Sequence, residues 1–426
     1  MQEHRLTELD SGIRVVTEAV PSVRSIALGF WIRVGSRDEQ DSQAGISHFL
    51  EHMLFKGTEN LSAEQIAQVF DGFGADVNAA TSKETTILYA HFLDEHLREA
   101  FELMSDMLLR STYPDIDSER EVVLEEIAMY EDEPQDKVHD VLSNAIFGGH
   151  PLGRPVIGRG EVIASLSRDD VATYHDSRYL GPQIVVAAAG NLEHDAIVGL
   201  AERSLSNERN GPSRANGSPP PTASPGRAAF QAKETEQYHI CLGGRGIKRD
   251  DERRFALSVL DAVLGGSTSS RLFQEVREKR GLAYAVYSWA SQYQDTGQVG
   301  IYVGTRQDNV GEAMAVIGGE LQRLQDDPLS EEELDRAREH VKGRLVLAME
   351  STASRMQRLG RSVLMGLPLL SLDEVLAEID AVDRDQLLAL AREFYAPAAL
   401  SAAAIGRDED VFRQALSAVS SELAAA

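Results

Sequence analysis

The chain has 426 residues, enough for two to three domains that each bury a core of their own. Its 68 Asp and Glu against 42 Lys and Arg give a formal net charge of −26, which argues against nucleic acid or an anionic membrane as partner. No run of about 18 apolar residues occurs, so the sequence offers no transmembrane helix.

Taken from the start, residues 1–8 have no apolar signal core and are too acidic for a transit peptide. The lone cysteine, Cys241, cannot form an internal disulfide and reads as a buried structural thiol. Both features lead us to expect a reducing compartment, the bacterial cytoplasm. Residues 24–34 pattern as a strand. The next segment, His48-Phe49-Leu50-Glu51-His52, carries the chemistry. On a helix, His48 and His52 lie one turn apart on one face, where two imidazoles can share one Zn²⁺. Glu51, beside His52, can reach a water on the metal without occupying the metal; this is the reversed form of the H-E-x-x-H motif. Two surface histidines on an amphipathic helix would show the same pentapeptide.

Helical patterns follow at 63–70 and 96–109, with a strand at 85–92 between them. The acidic helix 118–130 is the source of a third ligand, because a catalytic zinc takes three protein ligands and keeps one position open. Glu119 and Glu126 share a face two turns apart, Glu125 lies about 100° around it, and spacing alone leaves both Glu125 and Glu126 open. Asp136 and Asp140 come next, one turn apart. Residues 185–189 form a small-residue strand.

Residues 207–228 form a proline-rich linker between a first domain, 1–206, and a second, 229–426. Strand patterns recur at 238–243, 283–289, 299–303 and 401–405, and helical ones at 331–349 and 385–394. Gly265–Gly266 and the serines that follow lack the lysine of a phosphate-binding loop and read as a helix-entry turn. Arg168, Tyr179 and Gly190 are spaced as Arg384, Tyr395 and Gly406 are, which indicates an internal duplication. The fold class is therefore α+β, with two related domains. Only the first copy has the His-x-x-Glu-His motif.

The run from Gly45 to Thr58, GISHFLEHMLFKGT, resembles the active-site helix of the pitrilysin/insulinase family of zinc peptidases. It is closest to the half-size branch that includes the mitochondrial processing peptidase beta subunit and its bacterial relatives. Residues 30–39, 78–82, the 119–126 helix and 269–284 match the family as well, so the likeness spans nearly the whole chain. The resemblance implies two α/β sandwiches, each a mainly antiparallel sheet with helices mostly on one face. It implies one Zn²⁺ per chain held by His48, His52 and Glu126, with Glu51 as general base and Glu119 supporting the site from behind the ligands. Arg277 and Tyr284 would help bind the scissile region. Asn78, Ala79 and Ala80 would lie at a strand edge that pairs with peptide substrate, Phe55 beside the side chain at the cut, and Asp136 and Asp140 near a substrate arginine. The family's chamber takes four such domains, so a homodimer with active sites completed in trans is expected. The competing expectation is a metal-retaining regulatory or structural subunit of a heteromeric processing peptidase; the intact Glu51 argues against it.

Overall fold

The computed structural model describes residues 4–205, 218–222, 226–327 and 329–425. The expected linker falls mostly on 207–217 and 223–225, outside the described residues. Among the described residues, no helix is long and apolar enough to cross a membrane.

The first sheet comprises β1 (His4–Glu8), β2 (Arg14–Ala19), β3 (Ser25–Ile32), β4 (Asp76–Thr81), β5 (Thr86–Leu93) and β6 (Ile184–Gly190), in spatial order β1-β2-β6-β3-β5-β4. The second comprises β7 (Ala228–Ala232), β8 (Tyr238–Gly246), β9 (Ala283–Gln292), β10 (Gly297–Thr305) and β11 (Ser401–Gly406), in order β7-β11-β8-β10-β9. Without β1, the two orders coincide strand for strand. The parallel pairs correspond too, β2 with β6 and β7 with β11, while the other pairings are antiparallel.

The duplication extends to side-chain detail. Helices Arg168–Arg178 and Arg384–Phe394 both start with a capping box, from Ser167 and Asp383. Arg168 donates to the Thr112 carbonyl at 2.9 Å and Arg384 to that of Leu329 at 3.4 Å, each just ahead of a long helix. Tyr179 and Tyr395 are both buried. A short 3-10 turn then leads each copy into β6 or β11.

In each sheet one face carries most of the helices, as expected. Apolar side chains of β3, β5 and β6 point into the main core of the first unit with those of α1 (Ile46–Met53), α2 (Ala63–Phe73) and α3 (Leu97–Leu109). The opposite face is covered by the helix Thr352–Leu364, which packs on β2, β3 and β6. This explains the small, wholly apolar β6: Val186 and Ala188 face one core, and Val185, Ala187 and Ala189 the other.

The compact units are not contiguous in sequence. The first consists of Met1–Ala128, Pro155–Ser218 and Val346–Ser371, the second of Met129–Arg154, Pro219–Leu345 and Leu372–Ala426. A contiguous division at the linker contains no such exchange. The long helix α4 (Ile116–Asp132) leads out of the first unit, and α5 (Pro134–Phe147) packs on β8 and β11 of the second, over buried Cys241. The helix Thr352–Leu364 is the reciprocal piece.

Its docking on the first sheet is tight and specific. Trp31 donates its Nε1–H to Met356 Sδ at 3.4 Å, Arg14 reaches the Val363 carbonyl at 2.8 Å, and buried Glu18 is paired with Arg355 and Arg358. Gly360 permits the approach, since a Cβ there would stand 2.1 Å from Trp31 Nε1. Gly360→Val should push Trp31 off this helix and destabilise the protein by about 1–3 kcal/mol, the usual cost of overpacking. Urea unfolding followed by tryptophan fluorescence measures it; an unchanged midpoint would mean that the contact carries no packing energy.

Candidate metal centre

An eight-residue helix does not hold its shape by propensity alone. α1 is fixed because Ile46, Phe49, Leu50 and Met53 are wholly buried. Its N-terminus is fixed by Glu39, whose carboxylate accepts from the N–H groups of Gly45 at 2.8 Å and Ser47 at 2.9 Å. Gly45 takes φ +101°, and a Cβ on it would stand 2.8 Å from the Ile157 carbonyl, so only glycine fits there. With one face anchored, His48, Glu51 and His52 are held on the other, partly exposed side.

α4 brings the carboxylates. The turn into it is strained, with Tyr113 at φ 51° and Asp115 at φ 54°. His175 holds it: its Nε2–H donates to the Leu108 carbonyl at 2.7 Å, and its Nδ1 accepts from the Tyr113 hydroxyl. Glu119 and Glu126 then face the histidines, whereas Glu125 is exposed.

One ligand atom from each of His48, His52 and Glu126 lies within 4.8 Å of the other two. Glu126 Oε1 is 3.7 Å from His48 Nε2, and Oε2 is 3.3 Å from His52 Nε2. Ligand atoms about 2.0–2.1 Å from a tetrahedral zinc stand about 3.3–3.4 Å apart, so the donors fit that ion. Orientation agrees with this. His52 Nδ1–H donates to Glu119 Oε1 at 2.8 Å, which leaves the Nε2 lone pair facing Glu126. Burial, with His52 alongside, pushes the His48 imidazole down to about 4, so at neutral pH it is already in the ligating form.

Burial also raises the Glu51 carboxyl above its ordinary value, against the opposing pull of Thr81 and His52. Its Oε2 is buried without a hydrogen bond. Glu51 stands outside the three-residue donor group and next to it. Glu119 is nearly buried; burial alone would raise its carboxyl, but Lys56 and His52 hold it below the ordinary range. Lys56 Nζ is 2.6 Å from Glu119 Oε2. The sequence reading gave Lys56 no role, although it lies at i+4 from His52, on the stripe of His48 and His52.

β4 is an edge strand, and Asn78, Ala79 and Ala80 lie on it. Beside it, between β4 and α2, is a cavity of about 540 Å³ lined by Phe55, Ile66, Phe70, Val77, Asn78 and Tyr89 among others. Phe55 both lines this cavity and packs against the core.

The remaining expected residues belong to the second unit. The Arg277 guanidinium lies over the Tyr284 ring at 4.6 Å and the Phe273 ring at 4.8 Å, on a π-helical turn, Phe273–Glu278. Tyr284 is 78% exposed. Nearby, Arg271 pairs with Glu333, and Lys279 and Arg280 pair with Glu275. On α5, Asp136 is exposed and Asp140 accepts from the Tyr130 hydroxyl at 2.9 Å.

A two-domain α+β chain with a candidate His/His/Glu metal group and a further glutamate beside it, one oxygen of which is buried without a hydrogen bond, is the class that fold and site define. Residues 14–160 match the family described as insulinase (peptidase family M16), and residues 165–341 the peptidase M16 inactive domain. An uncharacterized zinc protease of Bacillus subtilis, YmxG, is 43% identical over 90% of this chain and 94% of its own. One from Streptomyces coelicolor is 42% identical over 91% of this chain and 86% of its own. Among solved structures, a protease from Helicobacter pylori superposes with a TM-score of 0.89 at 22% identity, over 95% of this chain and 99% of that one. The peptidase M16 inactive domain from Pseudomonas fluorescens gives 0.88 at 23%, over 95% and 98%. These two structures show the fold. The chain belongs to the insulinase family, peptidase family M16.

The lowered His48 value has a measurable consequence in the metal-free protein. Between about pH 6.5 and about 4 the unfolded chain protonates this imidazole and the folded chain does not, so stability falls as pH falls. From pH 7 to pH 5 the expected loss from this group is about 2 kcal/mol. Urea unfolding of the zinc-free protein should show it, and His48→Gln should flatten the dependence by that amount. Parallel pH curves for the two proteins would refute the assignment.

Proposed function

We propose that the protein is a zinc-dependent endopeptidase that cuts short, unstructured, preferably basic peptides. The observation that carries this reading is the His48–His52–Glu126 donor group with half-buried Glu51 beside it and outside it. A structural metal site needs no such base, which disfavours a purely structural or regulatory subunit. Zinc, when bound, supplies Lewis-acid polarisation of the scissile carbonyl and a water acidic enough to attack at neutral pH. Glu51 takes the proton of the attacking water and returns it to the leaving amine. Its raised carboxyl value suits both halves of that task. Glu119 fixes the His52 ring.

The edge of β4 offers backbone groups to an extended peptide, so affinity comes from main-chain pairing at Asn78, Ala79 and Ala80, and a folded protein, whose backbone groups are mostly already paired, competes poorly for it. Phe55 and its cavity receive a side chain next to the cut, and Asp136 and Asp140, with the overall negative charge, favour arginine nearby. Arg277 and Tyr284 steady the developing oxyanion, a contribution typically of about 3–4 kcal/mol per donor. Stacking between two rings holds Arg277 ready for this. In a homodimer they would come from the partner chain. A bacterial cytoplasmic location suits the lone, buried cysteine and the bacterial relatives.

Glu51→Gln should retain zinc and lower turnover of an unstructured basic peptide by about 10²–10⁴-fold or more. Metal content and peptide cleavage are measured on the same preparation; a zinc-loaded, active variant would remove Glu51 from the mechanism.

The shared-site dimer is tested by mixing two crippled chains. Co-expressed Glu51→Gln and Tyr284→Phe should give a mixed dimer with one site intact for both residues, and activity well above either parent. A purified mixed dimer that recovers nothing would place Tyr284 with its own chain's zinc site.

A further inference from the structure

The stripe on α1 does not stop at His52. The Lys56 N–H bonds to the Met53 carbonyl at 3.3 Å, so the chain is still turning when it reaches Lys56, one turn beyond His52. The ammonium lies 2.6 Å from Glu119 Oε2, and Glu119 Oε1 accepts from His52 Nδ1 at 2.8 Å. Lys56, Glu119 and His52 thus form an unbroken chain that ends on the imidazole nitrogen facing Glu126, 3.3 Å from its Oε2. The Glu119 side chain is 6% exposed, against 22% for His52 and 36% for Lys56.

A nearly buried carboxylate with one donor on one oxygen would turn until both oxygens were satisfied. Any such turn moves the acceptor of the His52 ring, and with it the direction of the His52 Nε2 lone pair. A cation on the far oxygen removes that freedom. It also balances the Glu119 charge, so that a second carboxylate can stand behind the ligands without excess negative charge at a site that already holds Glu126. Lysine suits this position because its flexible stem brings a point charge to one oxygen while the head stays wetted.

We propose that Lys56 is a positioning residue for zinc: by pinning Glu119 Oε2 it keeps Glu119 Oε1 on His52 and fixes the imidazole in its ligating orientation. The inference rests on the zinc reading of His48, His52 and Glu126. A purely structural tie between α1 and α4 would instead change the melting of the metal-free protein and leave its zinc affinity alone.

The experiment is competition for Zn²⁺ between a chromophoric chelator and the full-length protein, with melting of the zinc-free form recorded alongside. Lys56→Met should weaken zinc about 10-fold, the low end of what losing a direct partner of a metal ligand costs because Lys56 acts through Glu119, and Lys56→Arg should return it to within about threefold of wild type. His48→Gln separates the two levels: if it leaves wild-type zinc affinity intact, the zinc reading itself fails. If His48→Gln abolishes binding while Lys56→Met binds zinc as wild type does, the role of Lys56 is overturned and the zinc site stands. Equal loss in Lys56→Met and Lys56→Arg would also overturn it, since a charge clamp must be restored by a charge. Lys56→Gln serves if the methionine variant does not fold. Should neither neutral variant fold, the wild-type zinc dissociation rate decides: a clamp one-third exposed should weaken with salt, and a rate independent of ionic strength would overturn the proposal.

Discussion

Everything at the metal group depends on the burial of one side of a two-turn helix. α1 has too few residues to be stable alone, so its position is set by Ile46, Phe49, Leu50 and Met53 in the core and by Glu39 at its start. Because the apolar side is fixed, the polar side is fixed with it, and His48 and His52 have no rigid-body freedom to separate. The same holds for α4, whose entry is locked by Tyr113 and His175. Core packing is therefore the source of precision at this site.

The electrostatics follow from that placement. Burial, with His52 alongside, drives the His48 imidazole neutral, which is the form a metal needs. The acids around them are kept apart in role by their surroundings. Glu119 is tied on both oxygens, Glu126 faces both rings, and Glu51 is left without a partner on Oε2. Chemically identical side chains thus stand in three different environments according to what each one touches.

What could be read from the sequence was what is local. The i, i+4 spacing gave the two histidines, and apolar runs gave β3, β5, β6, β8 and β10 to within a few residues. Spacing left Glu125 and Glu126 open because the choice needs the rotation of α4 relative to α1. β2 escaped notice for a physical reason: its Glu18 reads as a solvent position, yet it is buried because Arg355, 337 residues away, pairs with it. The helix Thr352–Leu364, rich in arginine, was missed for the complementary reason. Lys56 stood inside a recognised motif, but its partner is on another helix, so nothing local marked it.

The reciprocal exchange of α5 and the helix Thr352–Leu364 also orders events during synthesis. Chains grow from the N-terminus at about 5–20 residues per second, and domains ordinarily close as they emerge. Here the first sheet cannot close that way, because the helix covering Val16, Ala27, Trp31, Val185 and Ala187 belongs to residues 346–371. Until that stretch has left the ribosome, one apolar face of the metal-bearing unit is bare. The first unit completes its packing only after most of the second has been made, so a truncated or stalled chain would present a sticky, half-covered sheet rather than a working half-enzyme.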